Sequence, residues 1–122
     1  MSFETKRVWT VVLSVLVMCG CFRNPTRLVE SGKKYIAEAK YNDAVIELRN
    51  AIKVNPQLAE AHYQLSLAYL HLGSTAEANQ EVDRTIVLQP GNRTAQLLHG
   101  NLLLLMDRNF QDAKTTAETI LQ

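Results

Sequence analysis

The sequence has little charge imbalance, few aromatic residues and few helix-breaking residues. The formal net charge is +1, aromatic residues make up 7% of the 122 residues, and there are 3 prolines and 5 glycines. A chain this close to neutral lacks the basic surface that attracts nucleic acid, so no nucleic-acid partner is expected. So few prolines and glycines leave little room for a linker or a low-complexity tract. The apolar fraction, 47%, is ordinary for one folded domain.

Cysteine is almost absent, and the sequence carries no catalytic or metal-binding motif. The 2 cysteines, Cys19 and Cys21, lie two positions apart, whereas a disulfide framework or a zinc site needs more ligands at separated spacings. The histidines lack the H-E-x-x-H arrangement, the serines lack an elbow motif, and there is no glycine-rich phosphate loop. Glu77 and Glu81 are expected on a solvated face rather than in an acid–base pair. The sequence therefore predicts that the protein is not an enzyme and holds no metal or cofactor.

The chain repeats with a period of 34 residues. Like residues at this spacing are Tyr35 and Tyr69, Ala44 and Ala78, Leu48 and Val82, and Pro56 and Pro90. Several matched positions at one period are hard to obtain by chance. Proline disfavours helical geometry in the residue before it, so Pro56 and Pro90 are expected to follow the ends of helices.

This pattern resembles the tetratricopeptide-repeat (TPR) family, whose unit is a helix–turn–helix of about 34 residues. The resemblance implies an all-α fold of about three repeats, stacked as a right-handed α-solenoid, at residues 25–58, 59–92 and 93–122. Ala113 follows Ala78 by 35 residues, so the third repeat is expected to carry one added residue, in a turn at 107–110. That repeat is incomplete and has no capping helix, which favours a fragment of a longer array or pairing through that end.

Small residues at fixed repeat positions are expected to let paired helices approach closely. Tyrosines are expected to fill the space beside these small residues. The expected packing residues are Gly32, Tyr35, Ala44, Pro56, Tyr69, Ala78, Pro90, Gly100 and Ala113. Gly73 suits the left-handed position that ends a helix, whereas Ala39 stands where glycine is usual, which predicts a different type of turn there. His62 stands where the family often has tryptophan, which favours a packing role. His71, near a helix end, is expected to be solvated or paired with the helix dipole.

Residues 8–18 are almost entirely apolar and follow Lys6 and Arg7. As a helix they would span about 16 Å, roughly half of a bilayer's hydrocarbon core. A basic start, a short apolar core and then small residues is the layout of a secretory signal peptide, expected here at residues 1–20. The alternative is a buried N-terminal helix, although no polar face interrupts the run.

The end of that run, V-M-C-G-C, resembles the lipobox of bacterial lipoproteins, in which a small residue precedes a cysteine. The resemblance implies cleavage after Gly20 and lipidation of Cys21, with 22–24 as a short tether, although Met18 departs from the usual leucine. The alternative is cleavage by the general signal peptidase, with Cys21 incidental. Two or three acyl chains would attach the protein firmly to a membrane. Phe22 is not the aspartate that resembles a plasma-membrane retention signal, so the expected location is the bacterial cell envelope, at the outer membrane facing the periplasm.

In the TPR family, the first helix of each repeat lines a concave groove. The matching positions here are Val29, Lys33, Ile36, Tyr63, Leu67, Leu70, Leu97 and Asn101, together with Thr26, Glu60, Thr94 and Leu104. Such a mostly apolar groove favours an amphipathic helix or an extended peptide as ligand. Only Lys33 matches the Lys/Asn clamp with which related chaperone cofactors hold a C-terminal carboxylate, so a reader of chaperone tails is not expected. The alternative is that part of the leucine-rich stretch is core or is covered by further repeats.

These observations predict a non-catalytic interaction scaffold, anchored in the bacterial envelope, whose partner is another protein or peptide. It resembles lipoproteins that assist pilus, secretin, outer-membrane or exopolysaccharide assembly. One alternative is the docking half of a longer chain, with an enzymatic domain after Gln122. Another is self-association through the uncapped third repeat.

Overall fold

The computed structural model describes residues 24–120 of the protein. In this range the helices are α1 (Pro25–Ala37), α2 (Tyr41–Val54), α3 (Ala59–His71), α4 (Thr75–Leu88) and α5 (Arg93–Ile120). Residues 24–120 contain no β-strand. The predicted signal peptide, the lipidation site and most of the tether lie outside the described residues. Within the described range, none of the helices combines the length and the apolar character that a membrane crossing requires.

The helices pair into hairpins that stack in chain order. α1 packs on α2 and α3 packs on α4, while α2 contacts α3, α4 contacts α5, and α1 also contacts α3. α1, α3 and α5 begin at Pro25, Ala59 and Arg93, so their starts repeat with the 34-residue period of the sequence. The described chain is an all-α helical-repeat solenoid, which confirms the predicted fold class.

Asparagine caps mark the starts of the first and last helices. The Thr26 N–H donates to Oδ1 of Asn24, and the Ala95 N–H donates to Oδ1 of Asn92, each at 3.0 Å. Such caps satisfy backbone donors that have no partner inside the helix. α2 and α4 end two residues before Pro56 and Pro90, as helices that meet a proline usually do.

The core is built from small residues at the helix crossings. In hairpin α1–α2, a Cβ added to Gly32 would lie 2.6 Å from Cγ of Leu48, so the backbone of α1 approaches α2 as closely as a glycine allows. Ala44 and Ala78, at equivalent positions of α2 and α4, are both 0% exposed. One cluster of buried apolar residues spans α1, α2 and α3, and a second joins α4 to α5. Tyr69 packs against both clusters.

The turns inside the two hairpins are of the same type, although only one contains glycine. Gly73 has φ 77° and Ala39, one period earlier, has φ 58°. The Lys40 N–H donates to the Tyr35 carbonyl at 2.8 Å, and the Ser74 N–H donates to the Tyr69 carbonyl at 2.9 Å. Both are the 6→1 hydrogen bonds of a Schellman motif, in which a right-handed helix ends at a residue with left-handed backbone conformation. The prediction of a different turn at Ala39 was therefore wrong, because the surrounding hydrogen bonds hold alanine in the conformation that glycine prefers.

The third unit differs from the predicted hairpin. α5 runs without interruption through 107–110, where a turn was expected, and Ala113 lies in the same helix as Gly100. The stretch 107–110 contains no glycine or proline, so nothing local breaks the helix. A Cβ at Gly100 would have no heavy atom of a neighbouring group within 4 Å. The prediction of a close helix crossing at Gly100 was therefore wrong, since none of the helices described in residues 24–120 folds back onto it.

Candidate interaction groove

Lys33 joins the first helices of the two hairpins. Its Nζ lies 3.1 Å from a carboxylate oxygen of Glu30 in α1 and 3.1 Å from a carboxylate oxygen of Glu60 in α3. The hydrogen bond to Glu30, followed by that to Glu60, raises the pKa of the Lys33 ammonium. Two carboxylates thus share one ammonium, so the local charge is negative. Lys33 is not presented as an unpaired cation to a ligand's carboxylate.

Apolar side chains at the predicted groove positions of α1 and α3 remain partly open. Ile36 is half-buried against the first core cluster, and Tyr63 and Leu70 are half-buried against the second. Leu67 is also half-buried. Burial raises the pKa of the Tyr63 phenol, so this ring is already partly removed from water. Each of these side chains can bury further area against a ligand without leaving the core.

Of the remaining predicted groove positions, one is buried in the core and the others are exposed. Val29 is 2% exposed and belongs to the first core cluster with Leu48 and Leu65, so its prediction as a groove residue was wrong. Its neighbours in α2 and α3 cover it completely. In α5, Leu97 is 71% exposed and Asn101, one turn later, is exposed as well. We define the groove surface by Lys33, Ile36, Glu60, Tyr63, Leu67, Leu70, Leu97 and Asn101.

His62 forms a buried polar link between hairpin α3–α4 and the turn that precedes it. Its Nδ1 lies 2.6 Å from a carboxylate oxygen of Glu81 in α4, and its Nε2 lies 3.0 Å from the Pro56 carbonyl oxygen. A carboxylate and a carbonyl oxygen are both acceptors, so this arrangement favours the protonated imidazole, in which both ring nitrogens donate. The hydrogen bond to Glu81 raises the pKa of His62, with a smaller contribution from the Pro56 carbonyl, while burial and Arg84 oppose this. His62 is therefore a packed residue, 6% exposed, whose hydrogen-bond partners favour its charged form.

Glu81 also lines a cavity that the sequence did not predict. A cavity of about 600 Å³ lies between α2 and α4, over Leu65 and Tyr69 of α3. Arg49, Lys53 and Glu81 supply charged groups to its wall. The expectation that Glu81 belongs to a solvated face was wrong, because its carboxylate is half-buried and engaged by His62. The sequence feature that could have predicted the His62–Glu81 pair is a histidine at a position of the first repeat helix that faces the second helix.

The other two histidines also contact neighbouring helices. The ring of His71 stacks on that of Tyr41 in α2, with centroids 4.5 Å apart and planes 6° apart. His71 is exposed at the end of α3, as expected of a solvated side chain; the stacking on Tyr41 was not predicted. Nδ1 of His99 in α5 lies 2.8 Å from a carboxylate oxygen of Asp83 in α4. Within residues 24–120, no group of three or more His, Cys, Asp and Glu residues is arranged to hold a metal ion.

The chain is similar in sequence to a TPR family model over part of its length and to longer curated proteins. A family model described as a TPR repeat matches residues 32–73. The TPR repeat-containing protein YsoA of Bacillus subtilis (strain 168) is 25% identical over 96 residues, covering 79% of this chain and 29% of that protein. The DnaJ homolog subfamily C member 3 of Rattus norvegicus is 29% identical over 90 residues, covering 74% of this chain and 18% of that protein. The chain thus spans less than a third of the length of either curated relative.

Two similar solved structures are TPR domains. The second TPR domain of human RPAP3, in complex with the HSP70 peptide SGPTIEEVD, has a TM-score of 0.63 and 24% identity, covering 65% of this chain and 66% of that one. The second TPR of Spaghetti (RPAP3), bound to the HSP90 peptide SRMEEVD, has a TM-score of 0.68 and 21% identity, covering 81% of this chain and 91% of that one. The described part of the chain has the TPR fold.

Proposed function

We propose that the protein is a non-catalytic interaction scaffold that binds a peptide or a helix from another protein along the groove surface. The observation that carries this proposal is the row of incompletely buried apolar side chains on first helices, ending in Leu97, which is 71% exposed. Exposed apolar side chains on neighbouring helices are the usual anchor sites for an amphipathic helix. The two similar TPR domains hold peptides, which supports a peptide as the general kind of ligand, although both of those peptides end in the acidic sequence EEVD.

The charges of the groove surface favour a ligand other than an acidic chain end. Lys33 is held by Glu30 and Glu60, each at 3.1 Å, and the net charge around it is negative. An acidic peptide would meet two carboxylates before it met the ammonium, and like charges brought together weaken binding. The ligand we propose is therefore an apolar segment with neutral or basic flanks.

A selection from a random peptide library tests this function. The full chain, held in detergent micelles, is presented with displayed peptides of about 16 residues, and enriched sequences are compared with the starting library. We expect enrichment of helical or extended peptides with apolar anchors and no excess of Asp or Glu. The synthetic peptide SRMEEVD is the matched negative probe. Failure to enrich any peptide, or enrichment of acidic ends only, would contradict the proposal.

We further propose that this scaffold is attached to the outer membrane through lipid on Cys21 and faces the periplasm. The support is the sequence alone: a short apolar run ends in Gly20 and Cys21. The corresponding roles, in pilus, secretion, outer-membrane or exopolysaccharide assembly, rest on analogy. Intact mass of the chain from bacterial membranes tests the anchor. A chain beginning at Cys21 with added acyl mass, absent from Cys21→Ser, is expected; a chain retaining Met1 would contradict it.

A further inference from the structure

α5 presents an apolar stripe that no described residue covers. The stripe consists of Gly100, Leu103, Met106 and Phe110, which follow one another at three- and four-residue spacing on one face of the helix. Leu103 is 47% exposed, Met106 38% and Phe110 65%. Scattered apolar residues on a surface are ordinary, but a continuous row on one helix face is typical of an interface.

The two complete hairpins show what normally covers this face. Gly32 of α1 occupies the same repeat position as Gly100 and lies against Leu48 of α2, whereas Gly100 has open space. Tyr35, two periods before Leu103, is half-buried in hairpin α1–α2. Among the described residues, the upper (N-terminal) half of α5 is therefore a first helix with no second helix packed on it.

The C-terminal half of α5, here called its lower half, has a sequence pattern like that of a second hairpin helix. Ala113 stands 35 residues after Ala78, and Ala117 stands 35 residues after Val82, so the lower half of α5 carries the pattern of a second hairpin helix. Because α5 is one uninterrupted helix, this half extends away from its own stripe. It cannot cover Gly100 of the same molecule without a turn at 107–110.

We propose that two copies of this chain pair through antiparallel α5 helices about a two-fold axis near residues 107–110. The lower half of each α5 then covers the stripe of the other copy, as α2 covers α1. Such an exchange is an isologous interface, in which the same surface serves both partners. The stripe is continuous with an existing interface, because Leu102 of the same helix is fully buried against α4.

The extent of this interface indicates its strength. An overlap from residue 97 to residue 120 is about 36 Å of helix, roughly 10 Å wide. That footprint is smaller than the ~800 Å² per partner of a standard stable complex. We therefore expect a concentration-dependent dimer with a dissociation constant in the micromolar range. The proposed dimer does not depend on ligand binding at the groove surface, because the groove residues of α5 lie on another face of that helix. Either proposal can therefore be wrong without the other.

Intermolecular disulfide formation tests the exchange. Two differently tagged full-length copies, both carrying Cys19→Ser and Cys21→Ser, are coexpressed, one with Gly100→Cys and the other with Ala117→Cys. Oxidation is expected to give a disulfide-linked species containing both tags, since these positions are equivalent to Gly32 and Leu48 across a helix crossing. The matched control replaces Gly100→Cys by Val87→Cys, which is on α4 and 68% exposed, and should give none.

Two outcomes would overturn the proposal. One is a heterodimer yield for Gly100→Cys no higher than for Val87→Cys. The other is an intrachain disulfide in a single copy bearing both Gly100→Cys and Ala117→Cys, with no linkage between copies, which would show that α5 bends at 107–110 and covers itself. Sedimentation of the unaltered full chain in detergent should show mass rising with concentration, and Phe110→Glu should abolish the rise.

Discussion

His62 and Glu81 form a partly buried pair, with Nδ1 of the imidazole 2.6 Å from a carboxylate oxygen. The second ring nitrogen donates to the carbonyl of Pro56, at 3.0 Å. One imidazole thereby ties the turn before α3 to the middle of α4. The pair lies inside hairpin α3–α4, where an uncompensated polar group would be costly.

Stability should fall as the pH rises past the pKa of His62. That pKa is raised in the folded protein by the hydrogen bond to Glu81, while an unfolded histidine titrates near about 6.5. The contribution is therefore fully present below the unfolded pKa and is lost as the pH rises through the folded pKa. Urea unfolding at pH 6 and pH 9 measures it, and we expect a decrease of about 1–2 kcal/mol in the free energy of unfolding.

Glu81→Gln is the control for this pH dependence. The substitution keeps the size of the side chain but removes the charge that holds the proton on His62. The difference in unfolding free energy between pH 6 and pH 9 should shrink. An unchanged difference in Glu81→Gln would mean that another group titrates, and the assigned role of the pair would be wrong.

Alanine substitution should have opposite effects at two glycines of equivalent repeat position. In Gly32→Ala the new Cβ would lie 2.6 Å from Leu48, so the core must shift, at a cost of about 1–3 kcal/mol. Gly100→Ala meets no neighbour within 4 Å in the single chain and, at concentrations too low for the proposed dimer, should stabilise α5 by about 0.5–1 kcal/mol through helix propensity. Thermal melts followed by circular dichroism compare the two. Equal effects of the two substitutions would be inconsistent with the packing described for α1 and α5.

Ala39→Gly should stabilise the first hairpin. Ala39 has φ 58°, a left-handed conformation that costs an L-residue roughly 1–2 kcal/mol. Glycine removes that cost, but it destabilises the fold by about 0.4–1 kcal/mol because it raises the conformational entropy of the unfolded chain. We therefore expect the free energy of unfolding to increase by about 0.5–1 kcal/mol. Urea denaturation measures it. Gly73→Ala, one period later, should destabilise by a similar amount, and a stabilising Gly73→Ala would contradict the matched turns.

Neutralising the partners of Lys33 should change what the groove surface binds. Glu30→Gln with Glu60→Gln leaves the Lys33 ammonium without the two carboxylates that now lie 3.1 Å away. Stability should change by less than about 1 kcal/mol for each exposed pair. Affinity for the acidic probe SRMEEVD should rise, as fluorescence anisotropy of the labelled peptide would show. Glu77→Gln, an exposed residue on α4, is the control; an equal rise there would argue against a local effect.

The sequence predicted correctly those features of the fold that depend on the repeat period or on the backbone preference of a single residue. The 34-residue spacing of Tyr35 and Tyr69 predicted stacked helical hairpins, and the glycine at 73 takes the left-handed conformation expected of it. Such features depend on periodicity and local backbone preference, which a sequence displays directly.

The features that the sequence did not predict depend on contacts between distant residues. Ala39 adopts a left-handed φ because closing hydrogen bonds on both sides impose it, and His62 is paired with a residue 19 positions away. Val29 has the type and spacing of a groove residue, and only the arrangement of α2 and α3 around it shows that it is core. In α5, the repeat pattern alone predicted a turn, whereas the absence of a helix breaker at 107–110 indicates a continuous helix.

The most direct test of the interaction scaffold compares two substitutions of equal chemistry on different faces. Leu97 is 71% exposed on α5 and belongs to the groove surface, while Val87 is 68% exposed on α4 and does not. The measurement is the dissociation constant of the best library-selected peptide for the full chain, for Leu97→Glu and for Val87→Glu. The account predicts at least a tenfold weaker affinity for Leu97→Glu and an unchanged affinity for Val87→Glu. Equal affinities of the two variants, or a loss confined to Val87→Glu, would contradict it.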